Sequence, residues 1–167
     1  MEILVKIFQE IAGIDNREMY IRILLSACFG FCIGLERTSK AKPAGIKTYT
    51  FVSVASTLLT IVSIYAVARY SVYPHTNMDP MRLSAQVVSG LGFLGAGLII
   101  QQGRSIHGLT SSAMVFFAGG MGIAIGAGFY GIAIFTMIVM YIVKRLGEKV
   151  EKSHTKSYGG DQEKEKD

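Results

Sequence analysis

Apolar residues fill this chain in long blocks separated by short polar clusters. The stretches Thr48–Ala68, Leu83–Gly103 and Leu109–Val143 contain no Asp, Glu, Lys or Arg. An uncharged apolar run of about 18 or more residues has the length of a membrane span. The block from Leu109 to Val143 is too long for one span: at about 1.5 Å per residue it would reach roughly 52 Å, against a hydrocarbon core of about 30 Å. Gly126, Gly128 and Gly131 offer a turn near its middle. The pattern predicts an all-α, polytopic membrane protein, a bundle of about five transmembrane helices near Met19–Leu35, Ile46–Ala68, Leu83–Ile100, Leu109–Gly126 and Phe129–Leu146. Asp79 and Pro80 form a helix-start signal for the third, with Asp as N-cap and Pro at the first helical position. Pro43 and Gly45 mark an irregular connection between the first two.

Three regions follow. Residues 1–18 read as an amphipathic interfacial helix, with Leu4, Ile7, Phe8, Ile11 and Ile14 at helical spacing and Lys6 and Glu10 opposite. Residues 19–146 are the transmembrane domain. Residues 147–167 are a polar cytoplasmic tail, expected to be disordered because it has no apolar periodicity.

Composition agrees. Half of the 167 residues are hydrophobic and 17% are charged, against about 25% charged in a soluble domain. A water-facing enzyme is excluded. The net charge of +5 is spread over span ends and tail, so the expected partner is the lipid bilayer and not nucleic acid. With five spans and the tail inside, twelve Lys and Arg fall on the inner side and five on the outer. A four-span arrangement gives the same bias, so span length, not charge, selects five. The expected place is the bacterial cytoplasmic (inner) membrane, with the N-terminus outside and the C-terminus cytoplasmic. Arg22, one turn inside the first span, is expected to snorkel to the headgroups. Cys28 and Cys32 are too far apart on a helix face for an unstrained disulfide and are expected to be packing residues.

Polar groups inside the spans form stripes. Ser53, Ser56, Thr60 and Ser63 share one face of the second span. Arg82, Gln86, Ser89, Phe93 and Gly97 share one face of the third, which also carries Gly90, Gly92 and Gly95. The fourth opens on Thr110, Ser111 and Ser112 and continues through Ala118, Gly122 and Gly126. Two readings stay open: hydroxyls and glycines that let helices pack closely, or the lining of a wet solute path. On the packing reading Gly92 and Gly95 meet a neighbouring helix with no room for a side chain. No Asp, Glu or Lys lies deep in a predicted span, which argues against a mid-membrane proton relay or cation site. No nucleophile, base and orienting group cluster, so no catalytic residues, metal or cofactor are expected.

Three segments resemble the transmembrane domain of the MgtC/SapB family of bacterial inner-membrane proteins. They are Gly34-Leu35-Glu36-Arg37 followed by Lys42-Pro43-Ala44-Gly45-Ile46-Lys47-Thr48; Asp79-Pro80-Met81-Arg82 running into Gln86-Val87-Val88-Ser89-Gly90-Leu91-Gly92-Phe93-Leu94-Gly95-Ala96-Gly97; and His107-Gly108-Leu109-Thr110-Ser111-Ser112-Ala113. Lys47, Tyr49 and His107 depart from the residues more usual in the family. The resemblance implies a regulatory or stress-adaptation role linked to low magnesium, acid and survival inside host cells, exerted through other membrane proteins, among them the F-type ATP synthase. A small ion or solute transporter, magnesium-related, is the alternative. Longer members carry a soluble domain after the last span, which the sequence past Leu146 is expected not to supply. The functional candidates are Glu36, Arg37, Lys42, Gly45, Lys47, Thr48, Asp79, Arg82, Gln86, Ser89, Gly90, Gly92, Gly95, Gly97 and Thr110. A homo-oligomer is also expected.

The topology is open to test by cysteine labelling at Ser71 and Ser157 in a background lacking Cys28 and Cys32. Ser71→Cys is expected to react from outside and Ser157→Cys only from the cytoplasm. Labelling of the first from the cytoplasm alone would exclude the five-span arrangement.

Overall fold

The computed structural model describes residues 14–70 and 78–164, with side chains over 16–70 and 78–150. Residues 1–13, most of the expected interfacial helix, lie outside it. Among the described residues the chain is all-α apart from one small hairpin. The elements are α1 (Ile14–Ser39), α2 (Ile46–Tyr70), α3 (Arg82–Gly97), β1 (Ile100–Gln102), β2 (Ser105–His107), α4 (Leu109–Gly126) and α5 (Tyr130–Lys164). Of the five helices, four are long and apolar enough to cross a membrane: α1, α2, α4 and the Tyr130–Val150 part of α5.

The helix α3 has 16 residues, roughly 24 Å at about 1.5 Å per residue. The sequence pattern carried the third span on to Ile100, but the helix stops at Gly97 and Ile100 opens β1. Gly95, Ala96 and Gly97 make a weak last turn. Leu98 N–H bonds Gly95 O and Ile99 N–H bonds Ala96 O, both at 3.1 Å, tightening the end. Gly108 then presses on the Leu98 carbonyl at φ +89°, where a Cβ would overlap it. The intervening β1 and β2 pair antiparallel, Gln101 opposite Ile106. The start of α3 is also displaced. Its N-cap is Met81, with no side-chain cap; the Asp79 carboxylate instead accepts from Met81 N–H at 2.9 Å. The aspartate makes a turn just ahead of the helix, because Pro80 and Met81 remain in that turn.

The chain forms two compact units, Met1–Phe129 and Tyr130–Asp167. In the first, α2 packs on α1 and α4, and α3 packs on α4 and α2. The contacts are made by small residues. A Cβ at Gly126 would stand 2.8 Å from the Thr57 carbonyl, and one at Gly122 would overlap that of Ser53. Nearer the start of α2, Gly30 and Gly34 bring α1 against the backbone at Thr50 and Ile46. The hydroxyl stripe of α2 is buried and hydrogen-bonded. Ser53 pairs with Ser26 at 2.9 Å, Thr57 donates to Gly122 O at 2.8 Å, and Thr60 contacts Ser84 at 3.1 Å. Ser63 accepts from Leu83 N–H at 3.4 Å. These groups make helix-packing contacts. The apolar core is small, built on Ala44, Tyr49, Leu91, Val115 and Ala118. Large apolar side chains such as Leu24, Phe51 and Phe93 point outward, as they do when the solvent is lipid.

The second unit is α5, whose span gives way to charge where Arg145 folds back on Tyr141. Its helix continues to Lys164, through most of the stretch expected to be disordered. Lys, Glu and Gln favour helix without any apolar face. Cys28 and Cys32 are both free and exposed, so they are not the packing residues expected.

The α2–α4 contact makes a sharp prediction. Gly122→Leu must push the helices apart, costing about 1–3 kcal/mol or more, and is expected to reduce membrane accumulation and the thermal midpoint. Gly92, by contrast, has nothing within 4 Å of a built Cβ. Gly92→Leu is expected to accumulate as wild type. Equal behaviour of the two variants would contradict this packing.

Candidate functional site

Two arginines of α1 are buried, Arg22 at 9% and Arg37 at 6% exposure. They are separated by roughly 22 Å along the helix at about 1.5 Å per residue. That nearly matches the length of α4, which runs antiparallel to α1, so each arginine reaches one end of α4. Arg22 serves its C-terminus. It donates to the Gly126 carbonyl at 2.6 Å and pairs with Glu18 at 2.5 Å. A cation bonded to the last carbonyls complements the negative end of the helix dipole. This side chain does not snorkel to the headgroups; α4 supplies acceptors closer at hand.

Arg37 lies at the other end of α4. Its Nη2 donates to Ser111 Oγ at 2.8 Å, in the first turn of α4. Beside it, the Tyr49 hydroxyl donates to Ser111 O at 3.4 Å. The arginine Nε is buried without a partner. Around it, Lys42 N–H bonds Arg37 O and Ala41 N–H bonds Thr38 O, the paired bonds of a Schellman ending. The residue that such an ending holds in the left-handed region is usually glycine; here it is Ala41, at φ 49°. Thr38 Oγ1 accepts from Ile46 N–H at 3.0 Å and starts α2. Gly45 packs on that threonine with no room for a side chain. Gly95 meets Ser112 in the same way.

The fold therefore gathers one set of the sequence candidates and disperses the rest. Glu36, Arg37, Lys42, Gly45, Lys47 and Thr48 lie at the end formed by the α1–α2 connection. The start of α4 with Thr110, and the end of α3 with Gly95 and Gly97, belong to the same end. Glu36 bonds Lys40 at 3.1 Å. Lys42, Lys47, Thr48 and Thr110 are exposed. Asp79 and Arg82 lie at the opposite end, exposed, so the four span-end charges do not form one cluster. Gln86, Ser89, Gly90, Gly92 and Gly97 are exposed along α3. Of the two glycines expected against a neighbour, Gly95 is and Gly92 is not. Gln86 and Gly90 border an apolar groove of about 580 Å³ between α2 and α3, with Phe51, Leu59 and Leu94. Ser111, which holds Arg37, and Tyr49, which bonds Ser111, were not among the candidates. Each occurs in a plain apolar or hydroxyl run, and only the helix pairing brings them to the arginine. Among the described residues, no group of three or more His, Cys, Asp or Glu side chains converges.

Comparison with known proteins gives a consistent picture. Residues 23–153 match the MgtC family. The chain is 42% identical over 146 residues to an uncharacterized protein of Haemophilus influenzae, covering 86% of this chain and 61% of that one. It is 44% identical to Protein SapB of Bacillus subtilis, over 75% of this chain and 54% of that protein. It is 37% identical to a putative magnesium transporter, YhiD, of Escherichia coli, over 75% and 59%. The matches thus span only about half to three-fifths of these relatives. No solved structure matches the chain.

The strained Ala41 is testable. Ala41→Gly removes a left-handed Cβ penalty of about 1–2 kcal/mol, partly offset by the greater freedom of an unfolded glycine. A rise in thermal midpoint is expected in detergent solution. A fall would show that the alanine is not strained.

Proposed function

The chain belongs to the MgtC/SapB family, and from that premise we propose that it is a non-enzymatic membrane regulator of adaptation to low magnesium or acid, acting on another membrane protein. The observation that supports this reading is the face of α3. Arg82, Gln86, Ser89, Gly90, Phe93 and Gly97 are all exposed, whereas Ser53, Thr57 and Thr60 of α2 are hydrogen-bonded inside the fold. A carboxamide and a hydroxyl turned towards hydrocarbon gain from a partner's hydrogen bonds, and glycines beside them allow a second helix to come close. A partner helix on this face would satisfy both. The F-type ATP synthase is the candidate that the family resemblance offers, and a second copy of the chain is another occupant in keeping with an oligomer. The proposed setting is the inner membrane with the tail cytoplasmic, as the charge bias favours. The transport alternative is favoured by the name of the E. coli relative.

The test uses Gly90→Leu, which fills open space, with Glu36→Gln and Asp79→Asn, which remove charge at opposite ends. All three are expected to reach the membrane at wild-type levels. They are expected to fail to support growth in low magnesium or acid in a strain that depends on the protein. Purified wild type in liposomes is expected to carry no saturable magnesium flux. Full growth with all three variants, or a flux that they abolish, would replace the regulatory reading with the alternative.

A further inference from the structure

The two arginines at the ends of α4 have opposite surroundings. Arg22 has a carboxylate and a carbonyl at the negative end of the helix dipole. Arg37 sits at the positive end with the neutral Ser111 hydroxyl, and its Nε is unpartnered. Among the described residues, no carboxylate is within ion-pair distance of it; Glu36 beside it bonds Lys40. Its place in the last turn of α1 gives partial compensation, but the α1 carbonyls of Arg37 and Thr38 are already bonded to Lys42 and Ala41.

The start of α4 is short of an acceptor as well. Its first backbone bond is Ser112 N–H to Gly108 O, 2.8 Å, so the amides of Leu109, Thr110 and Ser111 precede the ladder. No side chain caps them, and neither α2 nor α4 has an acid in its first turn. The exposed cations Lys42, Lys47 and Arg104 are at the same end. A buried guanidinium is costly unless an opposite charge accompanies it. An oxyanion would complete both the arginine and the helix terminus.

We propose that this end of the molecule binds a phosphate-type oxyanion, held by Arg37 and the uncapped first turn of α4, with Thr110 at its rim. Its source is either the headgroup phosphate of an acidic phospholipid or free inorganic phosphate. The site is separate from the α3 face and does not depend on the regulatory reading.

The test measures the thermal midpoint of the purified full-length chain. One arm titrates inorganic phosphate against chloride at constant ionic strength in detergent. The other compares nanodiscs of phosphatidylcholine alone with nanodiscs containing phosphatidylglycerol. A rise with phosphatidylglycerol only assigns the headgroup; a rise with phosphate as well assigns the free ion. Arg37→Gln is expected to weaken the response about tenfold or more, the scale of a lost charge-assisted hydrogen bond. Lys42→Gln/Lys47→Gln is expected to retain most of it. If Arg37→Gln does not fold, the lysine variant decides: retention supports the buried site, and loss assigns the response to surface charge and overturns it. No rise in either arm overturns it outright, as does an undiminished response in Arg37→Gln.

Discussion

The close approach of α2 and α4 is the constraint on which the first unit depends. At Gly122 and Gly126 the α4 backbone meets the carbonyls of Ser53 and Thr57 with no side chain between. In lipid there is no hydrophobic drive to bring helices together, so association rests on packing and on hydrogen bonds across the contact. Both operate here. Thr57 reaches Gly122 O because Gly122 has no side chain to hold the helices apart. The same closeness brings Ser111, one end of the same helix, to Tyr49, at the start of α2. The core can therefore be small while α1, α2 and α4 remain tightly joined.

Tight packing brings each end of α4 beside a buried arginine of α1. The C-terminus is served by Arg22. At the N-terminus, Arg37 brings another positive group to the positive end of the helix dipole. The Ser111 hydroxyl gives it a hydrogen bond but no negative charge. The difference between the two poles is one of charge and not of geometry, since both arginines are buried to a similar degree.

The spans were legible because periodicity and length report directly on the solvent. The boundaries of α4 follow from the uncharged block and its glycines and agree with the structure at both ends. The end of α3 was not legible: Leu98, Ile99 and Ile100 continue the apolar run, and only the approach of Gly108 to Leu98 fixes the turn. Asp79 read as an N-cap because capping aspartates and turn aspartates share one sequence signature. The packing role of the α2 stripe was visible as one of two readings, but its partners lie on three other helices and no local pattern selects them. Arg22 read as an interface charge because its acceptor, Gly126, is far away in sequence.

These contacts also give a physical reason why three separated segments carry the family resemblance. Thr38 and Gly45 shape the entry into α2 around the Arg37 ending. Gly95 clears the space occupied by Ser112, and Gly108 fixes the return of the chain below α3. Ser111 accepts from the arginine itself. Each segment is an unremarkable loop or helix end when read alone. Together they build one end of the bundle, where a change in any of them alters the setting of the same guanidinium. Asp79 and Arg82 belong to the middle segment but lie at the far end of α3, so the resemblance in that segment covers two places: the Asp79 turn ahead of α3 and the glycine-lined approach to α4. A function carried by the Arg37 end and one carried by the exposed face of α3 are thus separable by substitution, even though the middle segment contributes to both.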